Sequence, residues 1–490
     1  MTALDTRNGA AVRWGDVPVL GFADFRNEML STVEAGGRLA ALFGSKVEDA
    51  IRLTAVLARG NVLSLVSADV RGSFPSLTPD CPQAHLFERE IAETWGVTPQ
   101  GHPWLKPVRF EKLREGSSPP GTMEFFRVEG EEVHEVAVGP VHAGVIEPGH
   151  FRFQCHGERV LHLEISLGYQ HRGVEEILKG GPDLRTLPVL ETASGDATIG
   201  HALAHCELLE ALSGTAAPAR ARALRGIALE LERLANHAGD LGALSGDVGF
   251  LPTASYMGRL RGDFLNMTAL LCGNRFGRGF VVPGGVGYDL DEALASRLIS
   301  RLEAALKDSR GALDLLWKSA LAIGRFEETG TLPRAEAEGL GLVGPAARAS
   351  GVPRDVRTDI PTGIYREHLV PPALEEGGDV MARARVRRLE MEASAAFIRE
   401  RAGSLPEGPV RVELAPLAAN SIAVSLVEGW RGEICHAAVT GPDGKFKTYK
   451  IVDPSFHNWM GLAMAMRGQE ISDFPVCNKS FNLSYCGHDL

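Results

Sequence analysis

The segment GPVHAGVIEPGHFRF, Gly139 to Phe153, gathers His142, Glu147 and His150 around Pro148 and Gly149. Imidazoles titrate near neutrality and a partly buried carboxyl can be raised toward it, so these groups could relay protons. The plainer reading of the spacing is a surface turn whose histidines cap backbone groups. A second pair, His201 and His205, stands one helical turn apart, which would let both face one metal ion. No third ligand accompanies them and no general-base glutamate lies between them, so an ordinary polar helix face is the better reading. The glycines of VVPGGVG, Gly284, Gly285 and Gly287, follow no clear strand and open no helix, which predicts a tight turn rather than a phosphate cradle. No dinucleotide fingerprint, phosphate-binding lysine loop, nucleophile elbow or zinc-protease motif is present, so the chain is not expected to hold NAD.

Positioning these groups falls to a mixed set of elements. Residues 1–113 read as a small α/β domain: an amphipathic stretch from Phe22 to Ala41, an apolar run from Val62 to Val66, and a helix over FEREIAETWGV. The polar residues 114–136, with Pro119, Pro120 and Gly121, have the composition of a linker. Residues 137–490 open on a hairpin over His150 to Leu167. They continue as helices over Ile199 to Leu212, Ala217 to Leu244, Leu290 to Ile323 and Asp379 to Ala402. Near the end RVELAP, GEICHAAVT and KFKTYKIV alternate like strands, with a turn at PDG. The expected class is α+β: the small domain, then a mainly helical domain with small β additions.

Composition narrows the functions. The 490 residues carry 62 acidic against 51 basic side chains, a formal charge of −11, which disfavours a nucleic-acid partner. The arginines at 220–225 and 383–388 are expected to line solvated or subunit-facing helix surfaces. No apolar run is long enough to span a bilayer and the N-terminus does not resemble a secretion signal, so a cytoplasmic location is expected. Seven cysteines without paired spacing read as reduced core residues.

Ordered blocks along the chain resemble one family. FEREIAETWGVTPQGHPWL, Phe87 to Leu105, resembles the complex I 30 kDa subunit. The remainder is similar to the complex I 49 kDa subunit and to the large subunit of group 4 [NiFe]-hydrogenases, including formate hydrogenlyase. The matching blocks are GPVHAGVIEPGHFRF, LGYQHRGVEEIL, LELERLANH, VGPAARASGVPRDVRTDIP, GDVMARARVRRLEMEAS and EGWRGEICH. In the active hydrogenases two C-x-x-C pairs bind nickel, two of the thiolates bridging to iron. The resemblance places those positions on Ser194, Ala197, Ser455 and Asn458, which implies a vacated cavity and no hydrogen chemistry. The ending DFPVCNKSFNLSYCGHDL is typical of cysteine-less, hydrogenase-4-like relatives.

Complex I uses the same cavity for a quinone headgroup, held between a loop histidine and a tyrosine. His150 matches the histidine, but Thr192 stands at the tyrosine position, with no other tyrosine nearby before Tyr256; His201 or Asp196 could substitute, and His142 lies in the same loop. Glu147 aligns with the glutamate that moves protons from the hydrogenase metal, which favours a functional polar loop. His171 and Arg172 fall where the family faces an iron–sulfur small subunit, so they are expected to tune a [4Fe-4S] cluster held by that partner. Arg172 could equally pair with Glu175 or Glu176.

The resemblance thus implies an electron-transfer subunit with no cofactor of its own, drawing on the iron–sulfur partner and reducing quinone. Membrane-embedded ion-translocating subunits would couple the transfer and attach the chain peripherally to the cytoplasmic side of the membrane. A non-catalytic scaffold of the same complex is the alternative.

Overall fold

The computed structural model describes residues 3–110, 123–141 and 147–490, so His142 lies outside the described residues. In the N-terminal module, strands Arg38–Val47, Ala50–Arg59 and Val62–Val70 form an antiparallel meander, joined by Leu4–Thr6 and Val19–Leu20 along Val62–Val70. Each hairpin is closed by two residues, and the first positions of the turns, Glu48 and Gly60, take φ of 50° and 55°, as tight right-twisting turns require. Helices Phe22–Glu34 and His85–Trp95 cover the sheet. The helix expected to run to Ala41 stops at Glu34. Gly36 and Gly37 break it, and Arg38 to Phe43 are buried in a strand rather than on a helix stripe.

The C-terminal module is built on the 29-residue helix Ala219–Asp247, which packs against Leu251–Cys272, Val380–Ala402 and the helix Thr198–Ser213 in one apolar cluster. A three-stranded sheet, Val133–Val138, His150–His156 and Arg159–Ser166, carries the polar loop, so the end of the expected linker is a strand. The expected helix Leu290 to Ile323 is two, Glu292–Trp317 and Ala320–Phe326, the second capped by the Ser319 hydroxyl. VVPGGVG is a tight turn: Val281–Val282 pairs with Gly285–Val286, and Gly284 has φ of 79°.

The two modules share a sheet and a core. Strand Ala10–Arg13, from the first residues of the chain, pairs with Ser421–Gly429, followed by Gly432–Thr440 and Phe446–Val452. Phe87 and Val108 of the first module pack in one cluster with Ile422, Cys435 and Phe456 of the second, and Lys450 reaches Glu90 at 2.5 Å. RVELAP is not a strand of this sheet; the added one is Ser421–Gly429, buried at every position. The basic runs are only partly solvated. Arg383, Arg387 and Arg225 are buried, the last paired with Glu210 at 2.6 Å. All seven cysteines are free and buried, as small core residues.

Behind the sheet lies a buried ionic cluster: Arg233, Arg348 and Arg357 among Glu230, Asp355, Glu390 and Glu428, each at most 3% exposed. Four carboxylates face three guanidinium groups, and His237 bonds Glu390 at 2.7 Å. Burial and the neighbouring Asp355 push the Glu428 carboxyl up, the direction that lets one proton balance the cluster. These residues come from two long helices, the short helices Gly344–Ala349 and Val356–Asp359 with the turn between them, and the end of the strand just before Arg431, so the cluster fixes the backbone that carries the site.

Candidate functional site

Helix Thr198–Ser213 begins where the loop Ser194–Ala197 ends, and its first amides, Ile199 N–H and Gly200 N–H, donate to the Glu232 carboxyl at 2.7 and 3.2 Å. Burial pushes that carboxyl up to about 8. The loop is pinned from outside the helix as well. Trp430 Nε1 and Asn236 Nδ2 both donate to the Asp196 carbonyl at 2.9 Å. The Arg431 guanidinium forks onto the Asp196 carboxylate at 2.6 and 2.8 Å, lies 3.9 Å over the Trp430 ring and donates to the Asn482 carbonyl at 2.6 Å. Arg431 is held by a tight crossing: a Cβ on Gly344 would meet the Arg431 carbonyl oxygen at 2.0 Å.

Arg172 approaches the same loop from the other side. Its guanidinium donates to the carbonyls of Thr192 and Ala193 at 2.7 and 2.8 Å, so it pairs with neither Glu175 nor Glu176. Glu175 instead takes Arg109 at 2.7 Å and Lys450 at 3.2 Å. Glu147 closes the group: it is exposed on the chain, and its Oε2 accepts the Tyr485 N–H at 3.3 Å. Crowding by the surrounding protein raises its carboxyl, with Arg172 and Arg431 opposing and Asp196 reinforcing the shift. Glu147, Arg172, Thr192 and Asp196 therefore border one accessible patch, with Arg431 beneath it.

His150 begins its strand beside this patch. Nδ1 lies 3.3 Å from the Gly139 carbonyl, the ring rests 5.0 Å from Phe125, and Nε2 is buried without a partner among the described residues. A tyrosine does come close, from an unexpected place. Tyr485 packs on Gly149, where a Cβ would meet its ring at 2.3 Å, and burial beside Glu147 pushes its phenol up to about 12. The residues from Leu483 to Leu490 are all buried and thread back through the module. Ser484 N–H donates to Ser455 Oγ at 2.8 Å, and the Asp489 carbonyl accepts Arg172 N–H at 2.8 Å.

The four positions assigned to nickel ligands do not form an open cavity. Ser194, Ala197, Ser455 and Asn458 are each at most 5% exposed. Ser194 Oγ donates to Asp196 at 3.2 Å, and Ser455 Oγ is taken by Ser484. Asn458 exchanges two bonds with the Val343 backbone, at 3.0 and 3.1 Å. The expected cavity is filled because small polar side chains and the C-terminal tail satisfy one another there. A soft nickel–iron centre does not fit this donor set: Ala197 offers no donor and Asn458 is fully engaged. Cys486 stands near, and burial pushes its thiol well up.

His201 and His205 are not on a polar face. Both are buried, in a chain with His436, Tyr449 and Asp453. No cluster able to hold a metal occurs among the described residues. His171 lines a separate cleft of about 550 Å³ with Glu90, Arg109, Glu175 and Tyr449. No helix among the described residues is long and apolar enough to cross a membrane.

Comparison with known proteins identifies the family of the chain. The family described as the respiratory-chain NADH dehydrogenase 49 Kd subunit matches residues 247–422, and that of the 30 Kd subunit matches residues 27–116. The carbon monoxide-induced hydrogenase of Rhodospirillum rubrum is 31% identical over 352 residues, 71% of this chain and 97% of that protein. Formate hydrogenlyase subunit 5 of Escherichia coli K12 is 29% identical over 484 residues, 92% of this chain and 84% of that protein. Among solved structures, a chain of the membrane-bound sulfane sulfur reductase, an archaeal respiratory membrane complex, superposes with a TM-score of 0.67 at 23% identity. That superposition covers 73% of this chain and 99% of the other.

Proposed function

Because the chain belongs to the family of complex I 49 kDa subunits and membrane-hydrogenase large subunits, here fused to a 30 kDa-subunit module, we propose that it works without a nickel–iron centre as an electron-transfer subunit of a membrane-attached oxidoreductase. In this reading an adjacent [4Fe-4S] subunit docks near His171 and Arg172 and supplies electrons. An acceptor of the quinone class is reduced at the patch formed by Glu147, His150, Thr192 and Asp196. Membrane-embedded partners couple the transfer to ion movement and hold the chain on the cytoplasmic face.

The observation that carries the reading is the convergence at one accessible patch of a raised carboxyl, Glu147, and a clamped Asp196–Arg431 pair, with Tyr485 buried beneath it beside the His150 loop. A quinone needs a hydrogen-bond donor at each carbonyl and a proton source. Tyr485 is the candidate for the phenol that Thr192 cannot supply, and Glu147 for the proton source.

The filled nickel-ligand positions favour one rival, a scaffold with no redox role of its own. Thr192→Phe separates the two. Thr192 is exposed and its hydroxyl bonds only the Val189 carbonyl, at 2.7 Å, so the complex should assemble unchanged. With ubiquinone or menaquinone analogues as acceptor, we expect KM to rise about tenfold or more; an unaltered kcat/KM would favour the scaffold.

A further inference from the structure

Behind the site runs a continuous string of polar groups in an otherwise closed interior. Asp453 Oδ2 lies 3.4 Å from His201 Nε2, His201 Nδ1 lies 3.0 Å from His436 Nε2, His436 Nδ1 lies 2.9 Å from the Tyr449 hydroxyl, and that hydroxyl lies 2.8 Å from His205 Nδ1. All five residues are at most 2% exposed. Four elements supply them. His201 and His205 share one face of helix Thr198–Ser213, while His436 and Tyr449 are diagonal neighbours on adjacent strands. Asp453 caps the following helix through the Ser455 amide.

The order of donors in this string is constrained. With His201 neutral and Nε2–H donating to the Asp453 carboxylate, His201 Nδ1 must accept from His436 Nε2–H. His436 Nδ1 then accepts the Tyr449 O–H, and the Tyr449 oxygen accepts His205 Nδ1–H. Every donor points toward Asp453. If His201 carries a second proton on Nδ1, every link beyond it reverses. The string thus has two orders that differ by one proton.

We infer that these groups form a proton relay, running from the cleft wall at Tyr449 through His436 and His201 to the Asp453–Ser455 side of the site. Tyr449 contributes to the cleft that also holds His171 and Glu175, and the Asp453 end lies near Arg431, which clamps Asp196. Each transfer is balanced. Tyr449 passes its proton to His436 Nδ1, the Nε2 proton of His436 passes to His201 Nδ1, Tyr449 takes the Nδ1 proton of His205, and a proton from solvent replaces it on His205 Nε2, so one enters the string for each one delivered. The imidazolium left at His201 faces the Asp453 carboxylate and is discharged when the reduced acceptor takes up a proton. Burial keeps His436 and His205 neutral, the form in which each ring has one donor and one acceptor. The charged and titratable groups around the string are Arg431, His457, Cys486 and His488 at the Asp453 end and Glu175, Cys206 and Cys435 at the other. The relay's purpose rests on the reading of the chain as a site of proton-coupled electron transfer.

Two experiments test it. In the full chain labelled with 15N-histidine, ring nitrogen shifts should show His201 and His436 protonated on Nε2 and His205 on Nδ1; in Asp453→Asn, whose Oδ1 still accepts the Ser455 N–H so that its amide nitrogen donates to His201 Nε2, all three should switch to the opposite tautomer together. Any other set of tautomers in the unaltered chain, or rings that switch singly in Asp453→Asn, would overturn the relay. In the intact assembly, Tyr449→Phe keeps the ring edge-on to Phe446, 5.1 Å away, and removes only the hydroxyl. Turnover should fall about tenfold or more with a larger solvent deuterium isotope effect, while reduction of the partner's iron–sulfur cluster is unchanged. Turnover and isotope effect both equal to those of the unaltered complex would overturn it. A wild-type assembly that reduces no acceptor would refute the proposed function, and the histidine tautomers would still decide the relay.

Discussion

Replacing Glu147 and His150 together by Ala should lower acceptor reduction by the assembled complex by about 10²-fold or more, the usual scale for losing a positioned acid and its partner. Glu147 is exposed and makes one long bond, to the Tyr485 amide, so its loss should leave assembly and melting unchanged. Its raised carboxyl holds a proton to higher pH than an ordinary glutamate, so a rate that uses it as an acid falls as pH rises through its ionisation. Glu147→Gln alone, which keeps shape and removes the proton, should erase that limb of the pH–rate profile. Unchanged turnover in the double variant would mean that the patch is not where the chemistry occurs.

The largest stability effect is expected at Arg348. Its guanidinium is fully buried and donates to Glu390 at 2.6 Å, to Glu428 at 2.8 Å and to the Arg354 carbonyl at 2.7 Å, with Asp355 at 3.4 Å. Arg348→Ala strands those carboxylates in the protein interior, and breaking a buried ionic cluster in this way costs about 3–5 kcal/mol. Urea unfolding of the purified chain should show that loss. Arg348→Lys should restore little of it, because an ammonium lacks the planar fork that spans Glu390 and Glu428. A change under about 1 kcal/mol in Arg348→Ala would contradict the picture of a frame held by this cluster.

Where a single physical signal decided the structure, the sequence was readable. The helices Thr198–Ser213, Ala219–Asp247 and Val380–Ala402 lie where their helical periodicity places them. Leu251–Cys272 went unrecognised although its buried positions, Thr253, Met257, Leu260, Phe264, Met267 and Leu271, repeat at helical spacing. Pro252 and the glycines at 258 and 262 mask that stripe. Ser421–Gly429 is buried on both faces and so shows no alternation, whereas RVELAP alternates but ends on proline outside the sheet. Within the site, the residue types in the Glu147–His150 loop and at Asp196 were visible, but their partners were not. Tyr485 meets Glu147 across 338 residues of chain, and Arg431 meets Asp196 across 235; no local pattern encodes such contacts. The histidines at 201 and 205 looked like a polar face because helical spacing alone does not reveal that a strand tyrosine and a strand histidine stand opposite them.

The central claim is electron transfer at a site whose nickel-ligand positions are occupied by Ser194, Ala197, Ser455 and Asn458. Nickel and iron per mole of the intact, anaerobically purified assembly, with quinone reduction and hydrogen evolution assayed on the same sample, test it most directly. The account predicts iron without nickel, quinone reduction and no hydrogen. Stoichiometric nickel with hydrogen evolution would contradict it.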